Sequence, residues 1–434
     1  ARELSLHVEK VFLDWSAIDS RPRVTLQNVR IYNMASNHLI LSVKSAAVSM
    51  SRTSLLLGQF EPRTIVIENP LLSVVRDEGN RFHLAISDSA EAAEKPETDL
   101  EAQSALLFSV MDTMARPRSE IPRDWPVRSL ELFMISGARL RVEDRVLQQS
   151  WLVPKADMAF RRERGTLVTT ASLWLEDAAA APTLQVEAAY IRERKSIVAD
   201  VNLANLRAPF LASKFPDLSW LKNQNIVLSG KAQAQLGENF AFSGFEATLE
   251  SSDGAFTVPG VYETPVPFQK MLLNVAYDHG SGSLTLKDSE LILTDDFSLA
   301  FGGAVNPVKE TGGYFMPLHI DVHSLPQARV AAFWPSAMKG DPSEEWALRR
   351  LADGRIFDSA IDLALNAARA DDVWSVDLAD LKAAFNIENM TVDYSAPLMP
   401  VKKASGKGVY DYKEDRMTID VASGMLGDMT IKSG

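Results

Sequence analysis

The 434-residue chain contains no cysteine. That absence excludes disulfides, thiolate metal ligands and a cysteine nucleophile together. It assigns no compartment, because a cysteine-free chain suits reducing and oxidising surroundings equally. Long hydrophobic runs are missing as well. No stretch of about 18 apolar residues is present to cross a bilayer as a helix, and no signal-peptide pattern is visible. Positive charge is in deficit, with 45 Lys and Arg against 57 Asp and Glu, for a net charge of −12 and a pI near 5.1. No basic stripe of any size interrupts that balance, so the electrostatic footprint of a nucleic-acid binder is lacking. Catalytic signatures are lacking too. There is no G-x-S-x-G elbow, no P-loop, no H-E-x-x-H, and no G-x-G-x-x-G following a strand. The chain opens at Ala1 and stops at Gly434 within the alternating run Met429-Thr430-Ile431, a pattern expected of a fragment of a longer protein.

What is present is apolar residues, 46% of the chain, arranged with period two. Such alternation marks strands with one buried face. Phe297, Leu299 and Phe301 fall on one face; so do Leu318, Ile320 and Val322, then Ile361, Leu363 and Leu365, and then Met417, Ile419 and Val421. Turn signals separate the runs: Asp77-Glu78-Gly79-Asn80, Asp278-His279-Gly280-Ser281-Gly282 and Lys413-Glu414-Asp415. Many short strands with tight turns predict antiparallel meanders, since parallel strands would each need a crossover helix. Helices are few. One is expected over 103–116, stopped by Pro117. Another starts at the N-cap Asp341, with Pro342 in the first turn and Glu344 three residues after the cap, and ends near Arg349 and Arg350 before Gly354. An Ala- and Glu-rich stretch over 88–102 reads as a solvated acidic loop.

An internal repeat organises the second half. Val201-Asn202-Leu203, Leu206 and Phe215-Pro216 recur with the same spacing as Ile320-Asp321-Val322, Leu325 and Trp334-Pro335. A tryptophan follows each set, Trp220 and Trp346, and then a strand opening at Ile226 or Ile356. Further on, Pro267, Lys270, Tyr277-Asp278 and Leu284-Thr285-Leu286 align without gaps on Pro400, Lys403, Tyr410-Asp411 and Met417-Thr418-Ile419. A weaker echo links the run from Thr64 to Pro70 with the run from Leu130 to Gly137. The segments read from this pattern are 1–87, a β-groove segment; 88–126, an acidic loop and helix insertion; 127–200, a second β segment; and two β-groove repeats, 201–313 and 314–434. Edge-to-edge stacking at about 4.8 Å per strand would carry two dozen strands on the order of 100 Å. The fold class expected is mainly β: an elongated, curved, repetitive antiparallel sheet forming an apolar groove, with a few short helices.

Candidates for chemistry are weighed against plainer readings. His319, Asp321 and His323 share one strand face and could together bind zinc or iron in a metal-dependent hydrolase. The plainer reading, adopted here, is the polar side of a half-buried strand. The repeat supports it, because the equivalent positions are Asn202 and Ala204. Arg161-Arg162-Glu163-Arg164-Gly165 reads as a solvated turn rather than an anion site. Lys402, Lys403 and Lys407 read as a solvated face rather than a headgroup contact. The Phe215-Pro216 and Trp334-Pro335 corners serve chain reversal, or else cap a groove. No catalytic residue, metal or cofactor is assigned.

Several segments resemble one family. Residues 4–32, with Trp15 and Val24-Thr25-Leu26-Gln27-Asn28-Val29-Arg30-Ile31-Tyr32, are similar to the opening of AsmA-like envelope proteins of Gram-negative bacteria. Ile67-Glu68-Asn69-Pro70-Leu71-Leu72-Ser73-Val74, continuing to Asn80, resembles that family's strand–proline–strand–turn element. Phe215-Pro216, Trp220-Leu221, Val392-Asp393-Tyr394, Met399-Pro400 and Gly406 resemble the central region of its larger members. The resemblance implies a periplasmic protein anchored in the inner membrane by an N-terminal helix that this chain lacks. It implies a β-groove lined with apolar side chains that moves phospholipid toward the outer membrane, with inner-membrane and outer-membrane envelope components as partners. The expected lining is Phe297, Leu299, Phe301, Leu318, Ile320, Val322, Ile361, Leu363, Leu365, Met417, Ile419 and Val421, in contact with phospholipid acyl chains. The competing expectation is a scaffold for assembling outer-membrane proteins, acting through sheet edges.

Overall fold

The computed structural model of the chain describes residues 4–14, 22–34, 39–59, 61–78, 82–87, 109–122, 125, 127–145, 148–163, 166–175, 183–194, 196–237, 242–258, 261–309, 311–370, 373–395 and 397–432. These residues are mainly β, in 24 strands joined by a few short helices. The acidic stretch 88–102, Trp15 and the turn residues Gly79 and Asn80 lie outside the described residues, as does the start of the helix expected over 103–116; the described part of that helix covers 109–115. The chain divides into two compact units. The first is Ala1–Ala204 with Ala232–Ser243, and the second is Asn205–Lys231 with Gly244–Gly434.

The first unit contains β1 (Leu4–His7), β2 (Lys10–Asp14), β3 (Arg23–Asn33), β4 (Leu39–Met50), β5 (Pro62–Glu68), β6 (Leu71–Arg76), β7 (Phe82–Ser87), β8 (Leu132–Asp144), β9 (Gln149–Glu163), β10 (Thr166–Trp174), β11 (Leu184–Ile191) and most of β12 (Ser196–Arg207). Neighbours pair antiparallel, with one exception. β5 and β6 both run parallel to β8, Thr64 opposite Leu132 and Arg76 opposite Asp144. The sheet is otherwise antiparallel, as the meanders predict, and the helix 109–115 lies in the connection between these parallel strands. The segments that echo each other in sequence are thus the ones that lie side by side. At the kink between β5 and β6, Asn69 (φ 52°) faces Gly137 (φ 64°), so both strands turn left-handed at the same step. Ion pairs tie both ends of the pairing: Arg63 with Glu131, and Arg76 with Asp144 at 3.0 Å.

A closed apolar core lies beneath, including Val43, Ile86, Met114, Leu130, Ala156 and Leu167. The helix 109–115 sits on it, and Arg162 in β9 caps that helix. Its guanidinium donates to the carbonyls of Met114 (2.9 Å), Thr113 (2.8 Å) and Arg128 (2.7 Å). Arg161 and Arg162 are therefore strand residues, not a solvated turn. Carbonyls at a helix C-terminus have no partner within the helix and attract a cation. Burial pushes the Arg162 guanidinium below the ordinary arginine range.

The second unit carries β14 (Phe242–Val258), β15 (Tyr262–Asp278), β16 (Ser283–Thr294), β17 (Phe297–Val308), β18 (Gly313–Pro326), β19 (Leu351–Ala352), β20 (Arg355–Ala370), β21 (Val373–Val392), β22 (Val401–Asp411), β23 (Arg416–Leu426) and β24 (Met429–Ile431). β13 (Val227–Leu236) begins in this unit. From β14 to β18 and from β20 to β24 each strand pairs antiparallel with the next, and β18 pairs with β20. The repeat is visible in both halves of its motif. After β12 a helix starts at Ala208, whose N–H donates to Ile226 O at 2.9 Å; after β18 a helix starts at Gln327, whose N–H donates to Gly354 O at 3.1 Å. The hairpins match as well. Tyr277 pairs with Leu284 and Tyr410 with Met417, and in each turn the following aspartate accepts backbone N–H groups: Asp278 from Ser281, Asp411 from Lys413 and Glu414.

Bulges punctuate these long strands. At Asp288-Ser289 and at Asp358-Ser359 the aspartate is left-handed (φ 43° and 41°) and the serine is buried. An asparagine on the neighbouring strand, Asn274 or Asn386, donates to the aspartate carbonyl at 2.9 Å. A bulge sets two residues opposite one, so the side-chain alternation changes face on passing it.

Candidate functional site

The second unit carries a partly open apolar cavity of about 540 Å³. Its floor is the inward face of β16, β17, β18, β20 and β21. Cross-strand registry builds that floor in rows. Leu299 faces Val322, which faces Ser359; Ile320 faces Ile361, which faces Ala383; Leu318 faces Leu363, which faces Leu381. The roof is the segment 327–350, a succession of short helical turns that contributes Val330, Phe333, Trp334, Met338 and Ala347. Phe333 packs edge-on against Phe297 at 4.8 Å between centroids. Beyond Phe385 the floor closes in a separate buried cluster of Leu351, Ile387, Met390, Val392, Val401 and Ala404.

Few polar groups reach the wall, and most of them are bonded within the protein. The Tyr262 hydroxyl donates to Phe333 O at 3.0 Å, and Trp334 Nε1 donates to Met338 O at 3.3 Å. Ser359 donates to Phe357 O at 3.1 Å. Ser343 donates to Asp341 Oδ1 at 2.5 Å. Burial pushes the Tyr262 and Tyr410 phenols above the ordinary tyrosine range, with Asp341 adding to the effect at Tyr410. The wall therefore offers dispersion and few polar groups. An apolar chain fits such a surface; a polar substrate would forfeit its hydration without compensation.

Of the residues singled out from the sequence, the structure brings nine to this wall: Phe297, Leu299, Leu318, Ile320, Val322, Ile361, Leu363, Leu365 and Met417. Three lie elsewhere. Phe301 faces the bulge serine Ser289 across the β16–β17 pairing and is not in the wall. Ile419 and Val421 pack against the buried cluster around Met390. Sequence reading missed Leu291, Leu293, Ile356, Leu378, Leu381 and Phe385, and the bulges are the reason. In β21 the lining residues are Val376 and Leu378 before the irregularity opposite Ala364 and Leu365, then Leu381, Ala383 and Phe385 after it. The alternation changes parity within one strand, so no unbroken run is legible. A left-handed aspartate followed by serine, as in Asp288-Ser289 and Asp358-Ser359, is the signal that could have exposed two of these breaks.

The opposite face of β18 carries His319, Asp321 and His323. His319 is about half exposed; its Nδ1 lies 2.6 Å from Asp362 Oδ1 and its Nε2 lies 3.3 Å from Asp321 Oδ1. The hydrogen bond to Asp362, reinforced by the charges of both aspartates, raises the imidazole above its ordinary value. The arrangement is a surface ion-pair cluster. Among the described residues, no group of three or more His, Asp or Glu side chains could hold a metal ion. The Asp341 N-cap forms, with Oδ1 accepting the Ser343 N–H at 2.9 Å, while Glu344 reaches back to the Gly340 N–H at 2.6 Å. Among the described residues, no helix is long and apolar enough to cross a membrane. Compared with known proteins, the chain matches no family model, no curated protein and no solved structure.

Proposed function

We propose that the second unit binds the acyl chains of a phospholipid, and that the chain is a segment of a periplasmic lipid conduit between the inner and outer membranes. The observation that carries the reading is the cavity wall: apolar across five adjacent strands and a roof, with most of its few polar groups already bonded to protein. Each methylene kept from water is worth about 0.8 kcal/mol, so covering about a dozen of them offsets on the order of 10 kcal/mol. That is the main barrier to moving a lipid through water, and lowering it needs coverage rather than bond chemistry. The resemblance of the strand–proline–strand–turn and Phe-Pro elements to AsmA-like proteins supports the envelope location and the partners at either membrane.

Native mass spectrometry with lipid extraction on the purified chain tests the binding. Phospholipid near one per chain is expected, displaced by Ala383→Phe, which fills the cavity from its floor without adding charge. A chain that emerges lipid-free, and takes up no labelled phospholipid from vesicles, would overturn the reading in favour of a sealed core.

A further inference from the structure

We propose that residues 327–350 are a movable strap over the cavity, and that Tyr262 is the latch that holds it down. This rests on the reading of the cavity as a site for an apolar guest. The strap consists of two short helical runs, 327–333 and 342–350, with the single turn Ser336–Met338 between them. Helices this short have little cooperativity of their own and hold their place through tertiary contacts. Its two ends are fixed to each other, because the buried Gln327 side chain donates to Ala347 O (2.5 Å) and Leu351 O (2.8 Å). Those bonds make a base about which the middle can swing.

The middle is held by contacts of two kinds. Val330, Phe333, Trp334, Met338 and Ala347 meet the cavity with apolar surface. Such contact is non-directional, and an entering hydrocarbon chain replaces it methylene for methylene. The polar tethers cannot be replaced in that way. On one flank the Tyr262 hydroxyl donates to Phe333 O and the Ser336 N–H donates to Val261 O at 2.6 Å, with Arg329 and Asp296 paired outside at 3.3 Å. The exposed ion pair adds little. The Tyr262 phenol is in the cavity wall and largely buried, and its bond to Phe333 O, with that of Ser336 to Val261 O, is directional and must break on opening.

Two measurements on the full chain test this. Hydrogen exchange of 327–350 is expected to quicken about fivefold in Tyr262→Phe, while β18 and β20 keep their protection. Unchanged exchange in the strap, or loss of protection throughout the sheet, would overturn the latch. Because the chain has no cysteine, Val261→Cys with Ser336→Cys can also lock the strap on oxidation. Release of a pyrene-labelled phospholipid is then expected to slow at least about tenfold and to recover on reduction. Equal release from the oxidised and reduced forms would show that the guest passes elsewhere and would end the strap's role. Failure of the unmodified chain to take up any lipid would instead overturn the cavity reading, which the exchange data do not depend on.

Discussion

Arg162 holds three carbonyl oxygens of the first unit at 2.7–2.9 Å. Arg162→Ala is expected to cost about 3 kcal/mol in urea denaturation, because it removes charge-assisted bonds to Met114 O, Thr113 O and Arg128 O. Arg162→Lys recovers only part of this, since an ammonium cannot fork to three acceptors. On the outer face of β18, His319 owes its raised imidazole first to the hydrogen bond with Asp362. Asp362→Asn is expected to lower the His319 pKa in an NMR titration toward its ordinary value. The sign for stability follows from the raised value. The pair's contribution is fully present below the unfolded-state pKa and fades as pH rises through the folded one. At half exposure that contribution is small. A melting temperature that climbed with pH across the histidine range in the native chain, and did so less in Asp362→Asn, would contradict it.

Elements in this protein are shaped at a few positions where the backbone departs from a flat ladder. Gly137 is one: its φ is +64°, and a Cβ there would lie 2.5 Å from Asn69 Oδ1. Gly137→Ala is expected to destabilise the first unit by about 1–2 kcal/mol through strain in the left-handed region and displacement of Asn69. Chemical denaturation would check it, and a neutral result would mean that the two kinks in β5–β6 and β8 are not coupled. Gly408 is another. It faces Phe385 across the β21–β22 pairing, and a Cβ would come within 2.2 Å of that ring. Phe385 is in the cavity wall, so Gly408→Ala is expected to cost about 1–3 kcal/mol by overpacking and to alter lipid occupancy in native mass spectrometry. The hairpin elements were the most legible part of the sequence. Tyr-Asp before the turn and Leu-Thr-Leu or Met-Thr-Ile after it fix the register in both copies. The parallel pairing of β5 and β6 with β8 was not legible as such, although the echo between the two segments was the trace of it. A repeated motif says that two stretches adopt one conformation, and only packing says that they are neighbours.

At the scale of the molecule, the two units differ in what their apolar faces do. The first fills its interior with a continuous buried core that includes Met114 and Leu130 from outside the strands. The second leaves a cavity of about 540 Å³ beneath a roof of short turns. Addition of phospholipid is therefore expected to slow hydrogen exchange in β17, β18, β20, β21 and 327–350 of the second unit, and to leave peptides of the first unit unchanged. At a lipid concentration about a hundredfold above the dissociation constant, the second unit should gain about 2.7 kcal/mol. Protection confined to the first unit would place the guest elsewhere. The sequence by itself determined the β class, the hairpin turns, the two-copy repeat and most of the apolar face, because period-two alternation and turn chemistry are local properties of the chain. Only the tertiary structure decided which of those residues line the cavity. Bulges at Asp288, Asp358 and opposite Leu365 switch the inward face within single strands. A buried cluster takes Ile419 and Val421 away from the wall, and a roof from 327–350 partly covers an open face. Each of these depends on contacts between residues far apart in sequence, and no local pattern encodes them.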